Sequence, residues 1–87
     1  MVEEIVMQLG SVTFDASGRA SISNAYTFQA PFTRNPTVLL NSQNDQDYGY
    51  CAVIGIVRSI TKINTLGLLR NNAGTYQVVI RGIAIGD

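Results

Sequence analysis

Two segments of this chain, residues 50–57 (YCAVIGIV) and 76–85 (YQVVIRGIAI), are apolar on both faces of an extended strand. In the first, Tyr50, Ala52, Ile54 and Ile56 point one way, and Cys51, Val53 and Val57 the other. In the second, Tyr76, Val78, Ile80 and Ala84 oppose Val79, Ile83 and Ile85. A strand in a small antiparallel sheet normally keeps one face wet. A chain of 87 residues cannot cover both faces of several strands by itself. The expected cover is another copy of the same chain, so the pattern predicts a symmetric oligomeric β-module built for binding or structure rather than catalysis.

Charge supports this. Only 14% of residues are charged, so much of the surface is neutral-polar or hidden in an interface. Six basic and six acidic residues cancel, and no run of Lys or Arg exists to track phosphates, which argues against a nucleic-acid partner. The balance also gives no electrostatic reason for membrane binding, and no apolar run approaches the roughly 18 residues that span a bilayer. The N-terminus carries Glu3 and Glu4 and no basic region, so it does not read as a signal peptide. Cys51 is the only cysteine, which excludes an intrachain disulfide; it reads as a small buried hydrophobe. There is no histidine, which removes the commonest general base and the commonest zinc ligand.

Along the chain, residues 4–14 read as a first strand, with Ile5, Met7 and Leu9 alternating against polar neighbours. Gly10 marks a bulge or change of direction, after which Val12 and Phe14 resume the alternation. Residues 15–18 (DASG) form a turn, with Asp bonding its own backbone and Gly supplying the left-handed conformation. Residues 19–23 are a more polar strand suited to a sheet edge. Pro31 and Pro36 exclude the next stretch from a central strand, and Phe28 and Phe32 read as core plugs beneath a loop. Residues 37–41 are a short strand. Residues 50–58 and 62–70 are two buried strands, residues 71–74 (NNAG) repeat the turn logic, and residues 75–85 are the last strand. Turn signals roughly every 8 to 12 residues predict an all-β sandwich in a single domain over residues 1–87. No sustained helical period is present.

Catalysis is poorly supplied: no histidine activates the serines and threonines, and the glycines form neither a phosphate loop nor a dinucleotide fingerprint. Asp45 and Asp47 beside Asn44 offer oxygens, but the glycine and distal glutamate of a calcium loop are missing, so neither a metal nor a cofactor is expected. The same loop places Asp45, Asp47, Tyr48 and Tyr50 together, and a second cluster holds Arg70, Asn71 and Tyr76. Such mixtures of carboxylates, amides and aromatic rings suit sugar hydroxyls and the apolar face of a sugar ring.

The stretch YTFQAPFTRNPTVLL (residues 26–40) is similar to the H-type lectin domain: an aromatic, a small residue, Pro-aromatic, then a proline just before a Val/Leu strand. The resemblance continues through CAVIGIVRSITKINTLGLL and closes on YQVVIRGIAIGD, where Ile-Ala-Ile-Gly is typical of the family. It implies a six-stranded antiparallel β-sandwich assembled as a homotrimer, in which two trimers can stack into a hexamer. It also implies calcium-independent binding of cell-surface glycans in clefts between protomers. Related domains occur in phage tail fibres and other virion appendages. Against the family pattern, Gly82 stands where a Trp is usual and Ala52 where a sugar-binding Arg is usual. Arg70 and Asn71 stand at a Trp-His pair, Tyr76 keeps the family's tyrosine, and Asp15 lies near the acidic sugar ligand.

The expected function is therefore a non-catalytic, trimeric carbohydrate-recognition module. Its expected ligand residues are Asp45, Asp47, Tyr48, Tyr50, Arg70, Asn71 and Tyr76, with one of the tyrosines against the sugar ring. The alternative is a virion structural protein, a tail-fibre tip or a capsid-decorating trimer, made in the cytoplasm and without a small-sugar site.

Overall fold

A computed structural model describes residues 1–43 and 51–87 of the chain. Six strands run in the order β1 (Val2–Phe14), β2 (Arg19–Thr27), β3 (Thr37–Ser42), β4 (Ala52–Ile56), β5 (Lys62–Leu69) and β6 (Gly74–Ile85). They form two three-stranded antiparallel sheets, one in the order β1-β6-β3 and the other β2-β5-β4. The sheets stack with β1 over β2 and β3 over β4. The described residues contain no helix, and hence none long and apolar enough to cross a membrane.

The core lies between the sheets. Ile5, Met7, Val12 and Phe14 of β1 meet Ile63, Leu66 and Leu68 of β5 and Val78, Ile80 and Ala84 of β6. The switch from odd to even inward positions along β1 is made by a bulge between Gln8 and Gly10, where Gly10 takes a φ of 70°. That extra residue lets both halves of an unevenly spaced apolar pattern face the core.

The two expected turns are present and touch each other. At the first, Asp15 Oδ1 accepts from the Ser17 amide at 2.9 Å, the Ser17 hydroxyl at 2.8 Å and the Arg19 amide at 3.0 Å. Gly18 has a φ of 79°, and a Cβ there would lie 2.1 Å from the Arg70 carbonyl oxygen. The Arg70 amide donates to the Gly18 carbonyl at 2.7 Å. Only glycine both turns the chain and admits this approach.

Two expectations about strands change. Residues 24–27 belong to β2, because a bulge between Ser23 and Tyr26, with Asn24 at a φ of 51°, carries the strand past what reads as its end. The segment 50–58, expected as a buried strand, supplies β4, a sheet edge; within one chain its outward residues Ala52, Ile54 and Ile56 are exposed. Phe28 and Phe32 are buried as plugs, their rings 5.0 Å apart. Gly82 has no room for a side chain, since a Cβ would lie 2.0 Å from the Leu39 carbonyl oxygen. No aromatic residue fits there.

Candidate functional site

One end of the sandwich gathers the turns 15–18 and 70–73 and the described ends of the 43–51 connection. The turn 70–73 passes from one sheet to the other, since Leu69 ends β5 and Gly74 opens β6. That crossing sets Arg70 over Tyr76. The guanidinium carbon lies 3.7 Å from the Tyr76 ring centroid and 5.7 Å from that of Phe14. Phe14 meets Tyr76 edge to face at 6.1 Å. A cation over a partly buried ring is held more firmly than one at an open surface. On another flank the ring meets the main chain: a Cβ at Gly74 would stand 3.0 Å from it. The Tyr76 hydroxyl donates to the Ala73 carbonyl at 3.4 Å.

The structure thus brings Arg70 and Tyr76 into direct contact, with exposed Asn71 and Asn72 on the turn above them. The turn 15–18 packs against this group through the Gly18–Arg70 contact described above. Asp15 is exposed, and its carboxyl is held below the usual range by the Arg19 amide and the Ser17 hydroxyl. Four of the expected ligand residues, Asp45, Asp47, Tyr48 and Tyr50, lie outside the described residues. Cys51 is buried beside this end. Burial pushes its thiol up, against a hydrogen bond with Ser42 and the nearby Arg70 charge. Its amide donates to Ser42 Oγ at 3.1 Å. A buried thiol with a raised pKa is a poor nucleophile.

A second feature has no counterpart in the sequence reading. The outer face of the β2-β5-β4 sheet carries a concavity of about 600 Å³ lined by Ser21, Ala52, Ile54, Gly67 and Leu69, with Asp15 and Arg19 at its rim. It arises because Gly67 faces outward on the central strand between Ser21 and Ile54. The next row is Arg19–Leu69–Ala52, so the Arg19 guanidinium stands on the same row as Ala52, two strands away. Glycine spaced among polar and apolar residues of three separate strands leaves no motif in the sequence.

Among the described residues no cluster of His, Cys, Asp and Glu could hold a metal. The groups present are suited to hydrogen bonding and stacking: the Arg70 guanidinium on Tyr76 with the Asn71 and Asn72 amides at the turn, and Asp15 and Arg19 beside an apolar hollow. No protein-family model matches the chain, and no curated protein matches it.

Proposed function

We propose that the protein is a non-catalytic, trimeric recognition module that takes a cell-surface glycan at the seams between protomers. The observation that carries this reading is the Arg70–Tyr76 stack, with Asn71 on the same turn and the Asp15 turn pressed against it. Sugars are bound by donors and acceptors already fixed in place, because ordering long side chains on binding costs affinity. Here the ring of Tyr76 holds the guanidinium before any ligand arrives. In this reading Tyr76 positions Arg70, Arg70 and Asn71 donate to hydroxyls, and Asp15 or the carboxylates of Asp45 and Asp47 accept. Ring packing then falls to Tyr48 or Tyr50. Several weak sites on one trimer act together through avidity.

A glycan array probed with the assembled protein and with Asn71→Ala tests the reading. Binding that Asn71→Ala weakens supports it; no signal above background across animal and bacterial glycans sinks it.

A second reading, a virion structural module without a sugar site, draws on the exposed aliphatic residues of both outer sheet faces. Val2, Leu39 and Ile54 are each more than half exposed, at 65%, 56% and 65%. A stable trimer that is blank on the array favours this reading, as would tail or capsid genes beside its own.

A further inference from the structure

The chain crosses between the sheets twice at the polar end. The turn 15–18 carries β1 into β2, and the turn 70–73 carries β5 into β6. Their ends are paired: Phe14 with Gly74 in one sheet, and Arg19 with Leu69 in the other. The two turns therefore run side by side across the end of the core.

They are not equally well made. The turn 15–18 closes on itself. Besides the three bonds to Asp15 Oδ1, the Gly18 amide donates to the Asp15 carbonyl at 2.9 Å and the Asp15 amide to the Arg19 carbonyl at 3.0 Å. An aspartate that bonds the backbone just after it holds a turn without outside help. The turn 70–73 has no such framework. Among the described residues, no main-chain hydrogen bond is made within it, and Asn71, Asn72 and Ala73 are exposed. The bond from the Tyr76 hydroxyl to Ala73 is long, at 3.4 Å. Its short main-chain bond is made to the other turn, from the Arg70 amide to the Gly18 carbonyl at 2.7 Å.

That bond sits where the site needs it. It fixes the main chain of Arg70, from which the side chain sets out toward Tyr76. Gly18 is buried, and its close approach to the Arg70 carbonyl leaves no space for a side chain between the turns. The amide and the carbonyl of Arg70 thus both rest on Gly18. A guanidinium held only by the ring beneath it swings with its own main chain; one held at both ends is fixed.

We infer that the turn 15–18 is the template for the turn 70–73: Asp15 and Gly18 are positioning residues that act on the recognition site through Arg70. This rests on the reading above for the class of ligand, and not for the contact between the turns. It makes Asp15 part of the frame and leaves the acceptor role to the carboxylates of Asp45 and Asp47, since Asp15 already shares its charge among three donors.

Proton NMR of the full chain, read beside the glycan array, tests it. The Arg70 side chain lies over the Tyr76 ring, so its protons carry an upfield ring-current shift that needs no ligand to be seen. Asp15→Ala should lose most of that shift. It should also weaken binding to the glycan of strongest array signal by about two- to ten-fold, the cost of ordering one long side chain on binding. Asp15→Asn, whose amide oxygen accepts the same bonds, should restore both. If Asp15→Ala does not fold, Ser17→Ala, which removes only the hydroxyl donor, should give a partial loss of the shift. An unchanged shift in the folded variant overturns the inference. So does an Asp15→Asn protein that keeps the shift but loses binding, because Asp15 then touches the ligand itself. A wild type that is blank on the array sinks the glycan reading and leaves the shift to decide the positioning role.

Discussion

The two ends of the sandwich are closed by different physics. At the end that holds the chain termini, closure is apolar and main-chain. Phe28 and Phe32 fill the space between the sheets, and Tyr26 meets Phe28 at 6.0 Å. Around them the Phe28 amide donates to Thr61, Phe32 to Ile60 and Thr33 to Asp87. At the opposite end closure is polar: a guanidinium lies on Tyr76, and two glycine turns interlock beneath exposed amides. An apolar plug gives stability and shows solvent little to recognise. A stacked cation closes the core less firmly, but leaves hydrogen-bonding groups fixed at the surface. The proposed function draws on this difference: it assigns stability to the apolar end and recognition to the polar one.

The largest expected effect tests the apolar end. Phe32→Ala removes a ring that is 1% exposed and should cost about 3–5 kcal/mol of unfolding free energy, read from urea denaturation. A loss under 1 kcal/mol would mean that this end is not the stabilising one. Arg70→Ala should cost less, about 1–2 kcal/mol, because it removes a half-buried stack and not a core side chain. If it matches Phe32→Ala, the two ends do not differ as described. Asn71→Ala should leave stability within about 0.5 kcal/mol, as exposed substitutions do, while reducing glycan binding.

Two further effects depend on pH. Burial, with the Glu3 carboxylate adding to it, pushes the Tyr26 phenol from 10.0 up to about 12. The folded chain then keeps a proton that the unfolded chain releases above pH 10. Stability is full below that pH and falls as the pH rises toward about 12. Tyr26→Phe should flatten this alkaline decline, read from urea denaturation across that pH range. Asp15 works in the opposite sense. Its lowered pKa favours the folded state above the ordinary carboxylate range, and that contribution is lost as pH falls through it. Asp15→Asn should therefore make the melting temperature slightly less sensitive to acid, the smallest of these effects.

Much of the fold was legible because its signals are local. The turn residues Asp15, Gly18, Asn71 and Gly74, the bulge at Gly10 and the plugs Phe28 and Phe32 each act through neighbouring backbone. The continuation of β2 to Thr27 was not legible, since it depends on Asn24 accepting a left-handed conformation that pairing with β5 enforces. Nor was the exposure of β4. Its alternation shows that two faces are apolar, but not that one of them lies on the outside of a sheet. At the site, Arg70 and Tyr76 stood out as chemistry-bearing residues. Their contact did not, because it is made by a chain that crosses between sheets. The concavity was wholly illegible: Ser21, Gly67 and Ile54 lie on three strands and meet only through register.

The strand order has a consequence in time. β1, the first of the six strands in chain order, pairs in its sheet only with β6, the last. The β1-β6-β3 sheet therefore has no central strand until residues 74–85 have been made. Such first-to-last pairing makes contact order high and folding slow, of order milliseconds to seconds, a range that stopped-flow refolding can measure.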